Sequence, residues 1–146
     1  MRRALVLAGL ACLGGGLVAL AVLLLPSLVH ADGPIFESKV KIPYAMSSGS
    51  KVLEPGEYWV KSTANGNDWT LTLRTLRGET VLRTTAMGGD VPKEERNFTE
   101  QFRLRIKRVA DEKSPEKFWI VFELDYKSPR RFFRASFLVP EAAPRS

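Results

Sequence analysis

Apolar and polar residues alternate along most of the chain after residue 34, which is the pattern of strands that bury one face. The predicted strands are 35–42, 51–53, 57–63, 69–74, 80–86, 101–109, 117–126 and 132–139. Turn residues separate them at intervals of about eight to twelve residues, and no segment after the N-terminus has a helical period. The sequence therefore predicts an all-β domain of about seven strands, folded as a small antiparallel β-sandwich or barrel.

The Pro55-Gly56 pair marks the turn that opens the strand at 57–63. Proline presets φ near about −65°, and we expect glycine to take the positive φ of a type II turn. Beyond the turn, side chains alternate between the two faces of the strand. Tyr58 and Val60 are therefore predicted to enter the core, and Trp59 is predicted to point away from it.

The remaining connections are predicted from turn chemistry. Asn65-Gly66 is a strong hairpin signal between two strands. Residues 87–97 lose the alternation and combine glycine, proline and charge, so we expect an exposed mobile loop there. The tail at 141–146 follows a proline and is predicted to be disordered.

The N-terminus has the order of parts of a secretory signal peptide. Arginines at positions 2 and 3 precede 22 uncharged, largely apolar residues at 4–25, and small residues at 29 and 31 suit a cleavage site after Ala31. We predict a signal peptide at 1–31 and an exported domain at 32–140. The apolar run is also long enough to span a bilayer, which takes about 20 residues, so an uncleaved membrane anchor is the alternative. Either way the domain is expected to be periplasmic or extracellular.

Composition removes several kinds of chemistry from the exported part. Cutting the first 31 of 146 residues leaves 115; the chain then loses two of its 22 basic residues and none of its 16 acidic ones, for a net charge of +4. The only cysteine, Cys12, and the only histidine, His30, lie before the cut. Disulfides, thiolate nucleophiles, histidine triads and zinc or copper sites that need imidazole or thiolate are therefore not expected. We predict no cofactor, no metal and no catalytic residue.

Two segments resemble a group of small exported β proteins of environmental bacteria. Residues 36–43 read Phe-Glu-Ser-Lys-Val-Lys-Ile-Pro, and residues 52–60 read Val-Leu-Glu-Pro-Gly-Glu-Tyr-Trp-Val. The group's pattern is Val-x-Ile/Val-Pro, a short gap, then Val-Leu-x-(Pro/Ala)-Gly-x-Tyr-x-Val. The likeness extends through the hairpin at 69–83 and covers about the first half of the mature domain. It implies fold and export, and no activity.

Two tryptophans are candidates for a binding surface. Trp59 and Trp119 each point opposite to the core-facing residues of their strands. An exposed tryptophan on a sheet can stack on a sugar ring, although packing over a second small cluster is the simpler interpretation, which we favour.

The second candidate surface is the basic segment at 127–134. It contains Arg130, Arg131, Phe132 and Arg134, with four positive charges and no negative ones. Basic residues between aromatics suit an anionic envelope polymer or lipid head groups, whereas export argues against nucleic acid. The alternative is a turn whose arginines pair with Glu123 or Asp125.

A basic stripe at Arg103, Arg105, Lys107 and Arg108 has a structural explanation as well. If 101–109 and 117–126 form a hairpin centred on residue 113, Arg103 lies opposite Glu123, and cross-strand pairs of this kind contribute about 0.2–1 kcal/mol each. The loop carboxylates, Glu95 among them, are expected to be solvated.

Three functional hypotheses follow. The first is an exported non-catalytic β-domain with a binding or structural role at the bacterial cell envelope, whose partner is an anionic polymer, a glycan or another exported protein. The second is a small barrel that carries an apolar ligand, in which the eight phenylalanines line a cavity. The third is a hydrolase that uses carboxylates alone. We place them in that order.

Overall fold

A computed structural model describes Gly33 and residues 35–144 of the chain. The expected signal peptide or anchor at 1–31 and the last two residues of the expected tail lie outside the described residues. Within them, the chain forms strands and one turn of 3-10 helix at Lys93–Glu95. The strands are β1 Ile35–Ile42, β2 Met46–Ser48, β3 Lys51–Leu53, β4 Gly56–Asn65, β5 Asp68–Arg74, β6 Thr80–Asp90, β7 Phe102–Ala110, β8 Phe118–Lys127 and β9 Phe132–Pro140.

Seven of these strands form one antiparallel sheet in the order β1-β4-β5-β6-β9-β8-β7, which curls into a half-barrel. The prediction of an all-β fold is confirmed. Strands β2 and β3 form a separate two-stranded ribbon. Strand β6 joins the two halves of the sheet, because residues 80–87 pair with β5 whereas residues 88–90 pair with β9.

The inner face of the curl holds the core, and the alternation in the sequence places it correctly. Trp69, Leu71 and Leu73 of β5 are buried, as are Tyr58 and Val60 of β4. Across the curl they meet the inward residues of the other half of the sheet. These are Ile120, Phe122 and Leu124 of β8, with Ala135, Phe137 and Val139 of β9.

Aromatic rings bring the two edge strands together at one end of the curl. The rings of Phe36 in β1 and Phe102 in β7 lie 5.5 Å apart, between centroids, although these strands are the two ends of the sheet. Phe102 in turn contacts Tyr126 at 5.0 Å, and Tyr126 contacts Trp69 at 6.3 Å. The two edges of the sheet are therefore linked by contacts between side chains rather than by backbone hydrogen bonds.

Two local predictions are wrong. Gly56 does not have a positive φ; it is the first residue of β4 and pairs with Ile42, so the expected type II turn is not formed. The expected loop at 87–97 is also partly regular secondary structure, because residues 87–90 extend β6 and the 3-10 turn follows. Val91 is fully buried and anchors the segment, although the segment is otherwise mostly polar.

The chain after β9 is bonded to the domain at its first two residues. Glu141 forms a β-bridge with Met46, and the amide of Ala142 donates to the carbonyl of Ala45 at 3.0 Å. The Glu141 carboxylate also pairs with Arg108, with 2.8 Å between Oε1 and Nε. The segment that we expected to be disordered therefore begins with an ordered, ion-paired residue. In residues 35–144 no helix is long and apolar enough to cross a membrane.

Candidate functional site: the outer face of β7, β8 and β9

The outer face of β7, β8 and β9 has two chemically different halves. In these three adjacent strands of the sheet, cross-strand partners form rows of outward side chains, since alternate residues of a strand share a face. We call the charged half the ionic half; its members are Arg103, Arg105, Glu123, Asp125 and Arg134. We call the other the apolar half; its members are Val109, Trp119, Val121, Leu138 and Pro140.

Asp125 is the centre of the ionic half. Its side chain is 0% exposed and accepts hydrogen bonds from two arginines. Arg134 Nε lies 2.7 Å from Oδ1, and Arg103 Nη2 lies 2.7 Å from Oδ2. Two arginines on flanking strands thus hold one buried carboxylate from both sides, which is the geometry of strong charge-assisted hydrogen bonds.

Glu123 lies one row away and has its own basic partners. It pairs with Arg105, and Lys107 Nζ lies 3.2 Å from its Oε2. The contribution of such pairs depends on their exposure, because water screens the exposed members. Here the Glu123 side chain is 11% exposed, so the pairs are shielded on the carboxylate side.

Residues 91–98, which we call the cover segment, close over the ionic half. Glu95 pairs with both Arg105, at 2.7 Å, and Arg134, and its backbone carbonyl accepts a hydrogen bond from Arg103. Arg103 also stacks over the ring of Phe98, with 4.4 Å between the guanidinium carbon and the ring centroid. Phe98 is itself buried. The cover segment thereby completes the charge pairing of the sheet below it.

The pKa shifts follow from this pairing. Hydrogen bonds from Arg134 and Arg105 lower the pKa of Glu95 from its usual 4.5 to about 2. Burial alone would raise the pKa of Asp125, but hydrogen bonds from Arg134 and Arg103 outweigh it and leave the pKa below its usual value. The pKa of Arg134 is raised, chiefly by its hydrogen bond to Asp125. All of these groups are therefore held in their charged forms at neutral pH.

The apolar half, in contrast, is open to solvent. Leu138 is 51% exposed and Val109 is 45% exposed, whereas Trp119 between them is half-buried. Trp119 is the direct cross-strand partner of Val109 on one side and of Pro140 on the other. A contiguous group of exposed apolar side chains with an aromatic residue at its centre is typical of a binding surface.

Two cavities lie beside Trp119. The larger, of about 480 Å³, is bounded by the β7–β8 turn and by residues 140–144. The smaller, of about 280 Å³, is bounded by Val109, Val121 and Leu138, together with the start of the same turn. Trp119 and Asp111 line both cavities, so the cavities adjoin at these two residues.

The tryptophans proposed from the sequence do not form one patch. Trp59 is 36% exposed on the outer face of β4, where it pairs with Lys39 and Arg74. Trp119 lies on β8, and three strands separate β4 from β8 in the sheet. The two indoles therefore belong to different parts of the outer surface.

The basic residues proposed from the sequence are mostly engaged in internal contacts. Arg131 pairs with Asp90 at 2.9 Å and lies over the ring of Phe133, 4.0 Å from its centroid. Phe132 packs edge-on against Phe98. Arg134 is only 14% exposed and belongs to the ionic half.

Arg130 differs from its neighbours in the segment. It is exposed, and among the described residues no carboxylate lies within ion-pair distance of it. Arg134 of β9 pairs with Asp125 of β8. Asp125 is six residues, or about 20 Å, from Trp119 along β8. The basic segment and Trp119 thus lie far apart on the outer face.

The register of the β7–β8 hairpin corrects one predicted pair. Arg103 lies opposite Asp125, and Arg105 opposite Glu123, so the hairpin is shifted by two residues from the expected pairing of Arg103 with Glu123. A two-residue shift keeps every side chain on its face, which is why the inward and outward assignments remain correct. The prediction that cross-strand acids neutralise the basic stripe is confirmed for Arg103, Arg105 and Lys107.

Sequence reasoning missed the role of Glu95. It lies in a charged loop, and nothing local shows that it will reach Arg105 and Arg134 on two separate strands. The apolar half was also missed, although the outward positions 109, 121 and 138 hold Val, Val and Leu where strands exposed to water usually carry polar residues. That departure from alternation was the available signal.

The carboxylates of this face are engaged in ion pairs. Glu95, Glu123 and Asp125 approach the same arginines, but each is tied by ion pairs, and the lowered pKa of Glu95 opposes a role as a general acid. No group of three or more potential metal ligands occurs in the part of the chain that the structure describes.

Comparison of the chain with protein-family models, with curated proteins and with solved structures gives no match.

Proposed function

We propose that the protein is an exported, non-catalytic β-domain that binds a partner at the bacterial cell envelope through the apolar half of its outer face. We also propose that residues 1–31 direct export, either as a cleaved signal peptide or as an anchor through residues 4–25. The observation that carries the proposal is the exposed apolar group around Trp119.

The contrast between the two halves of the outer face supports this choice. On the ionic half, the charges of Asp125, Glu123 and Glu95 are met by arginines and a lysine, and the cover segment shields them. A partner that bound there would have to displace these pairs. On the apolar half, no described segment covers Val109 and Leu138. Covering this half with a partner would remove apolar surface from water, which favours association.

Two other possibilities receive less support: an apolar-ligand carrier, and an anionic polymer as the partner. An apolar-ligand carrier needs an open interior, yet the inner face of the described sheet is filled by fully buried side chains such as Phe122, Phe137 and Leu71. An anionic polymer needs unpaired cations, yet Arg131 and Arg134 of the basic segment are paired with carboxylates, which leaves Arg130 as the one arginine of that segment without a carboxylate partner among the described residues.

Adsorption to isolated envelope material tests the proposal. The protein is expressed in its own bacterium, purified, and titrated onto the envelope fraction of that bacterium. We expect saturable adsorption that Trp119→Ala weakens about tenfold or more, as for a central aromatic anchor. Trp59→Ala is the matched control, since it removes an outward tryptophan on β4, which three strands separate from β8.

Two results would contradict the proposal: no adsorption by the unmodified protein, or equal losses for the two tryptophan variants. Urea denaturation of each variant shows whether a loss of adsorption reflects a loss of folded protein.

A further inference from the structure

The two cavities beside Trp119 share the lining residues Trp119 and Asp111, and we refer to the two together as the groove. One cavity has a volume of about 480 Å³ and is also lined by residues 140–144. The other has a volume of about 280 Å³ and is also lined by Val109 and Leu138. A site of this kind suits an elongated ligand that crosses the indole better than a single compact one. The larger volume is within the usual range for small-molecule sites, about 300–1,000 Å³.

The walls of the groove combine apolar surface with hydrogen-bonding groups. Trp119, Leu138 and Pro140 supply apolar surface. Asp111 and Glu116 supply acceptors, and Lys117 supplies donors. A sugar ring presents the same combination, because its C–H face is apolar and its edge carries hydroxyl groups that both donate and accept.

The charges of the groove disfavour an anionic ligand. Asp111, Glu112 and Glu116 carry negative charge along the β7–β8 turn, and Lys113 and Lys117 alternate with them. Glu141, on the opposite wall, is already paired with Arg108. With carboxylates at least as numerous as free cations, an anionic chain gains no net attraction.

We propose that this groove binds a neutral saccharide chain, with one sugar ring stacked on Trp119 and neighbouring units in the two cavities. This inference rests on the proposed function, whose partner it identifies as an envelope glycan. Asp111 is a binding residue: its Oδ1 accepts a hydrogen bond from the Lys113 amide at 3.0 Å, and its remaining acceptor positions accept hydrogen bonds from sugar hydroxyls at the junction.

The first test separates a glycan from a protein partner without knowing which glycan it is. Envelope material is divided into an untreated portion and a portion boiled in detergent and digested with proteinase K, which removes protein. We expect adsorption that depends on Trp119 to survive digestion, with the apparent Kd changed less than threefold. Loss of that adsorption on digestion would overturn the saccharide proposal and would leave the proposed envelope-binding function in place.

The second test uses soluble probes. Neutral tetrasaccharides of glucose, mannose, galactose and N-acetylglucosamine are titrated against the full chain while tryptophan fluorescence is recorded. We expect at least one to shift the emission and to compete with adsorption, and we expect Trp119→Ala to abolish both effects while Trp59→Ala keeps them. Asp111→Asn should weaken binding severalfold with unchanged urea midpoint.

Three outcomes count against the inference. Competition by none of the tetrasaccharides, competition only by anionic heparin, or a concentration-dependent dimer that Trp119→Ala dissolves would each overturn it. The last would assign the apolar half to a second copy of the chain. If the unmodified protein fails to adsorb to any envelope portion, the proposed function itself fails.

Discussion

Arg134 of β9 and Asp125 of β8 face each other across the ladder, and the guanidinium holds the carboxylate through two hydrogen bonds, Nε to Oδ1 at 2.7 Å and Nη2 to Oδ2 at 3.1 Å. Arg103 of β7 donates a hydrogen bond to the same carboxylate from the other side. One carboxylate therefore links three strands of the sheet. The network explains why so many basic residues are tolerated on one face.

Asp125→Ala is expected to destabilise the domain strongly. It removes a fully buried carboxylate and leaves two arginines without their main partner, for which losses of about 3–5 kcal/mol in the free energy of unfolding are usual. Asp90→Ala is the control, since its pair with Arg131 is exposed and is expected to contribute less than about 1 kcal/mol. Urea unfolding of both variants measures the difference, and similar losses would show that burial does not govern these pairs.

Glu95 is expected to make stability depend on acidic pH. Its pKa is about 2 in the folded protein and near 4.5 when unfolded, so the unfolded state binds more protons between these values. Stability supplied by Glu95 is therefore fully present above about pH 4.5 and is lost as the pH falls toward 2. Urea midpoints from pH 7 to pH 2 should fall less steeply for Glu95→Gln than for the unmodified protein. Parallel curves would mean that the pairs of Glu95 with Arg134 and Arg105 do not form in solution.

Gly88→Ala is expected to disturb the core where β6 passes from one half of the sheet to the other. A Cβ at this position would lie 2.7 Å from Nε1 of Trp69, and Trp69 is buried and has little freedom to move. Overpacking of this kind costs about 1–3 kcal/mol. Gly89→Ala is a matched control, because a Cβ there meets nothing within 4 Å. Thermal unfolding compares the two, and an equal or larger loss for Gly89→Ala would refute the argument.

Ser62→Ala is expected to stabilise the protein. The hydroxyl of Ser62 is fully buried and has no hydrogen-bond partner among the described residues. A buried hydroxyl without a hydrogen-bond partner has a desolvation cost, so we expect its removal to raise the free energy of unfolding by about 1 kcal/mol. Ser38→Ala, on the half-buried inner face of β1, should change stability by less than about 0.5 kcal/mol. A clear loss of stability for Ser62→Ala would indicate that the hydroxyl has a partner, such as a buried water.

Strand positions were predictable because a strand that buries one face has a two-residue period that is written directly in the sequence. The bounds of β1 and the inward residues of β5 and β8 follow from it. The residues of the candidate face were only partly predictable. Trp119 was identified by its orientation against the core. Val109 is its neighbour through a pairing across 10 residues, and Leu138 lies beside it because Leu138 pairs with Val121 across 17 residues.

The sequence by itself determined the all-β class, the inward residues of β4, β5 and β8, and the lack of cysteine and histidine after residue 31. Only the tertiary structure decided the order of strands, the ordered path of the cover segment and the partners of Arg131, Arg134 and Glu95. The reason is physical. Alternation is a local property of each strand, whereas ion pairing across the sheet depends on register and on which strands become neighbours, and both are set by the packing of the whole core.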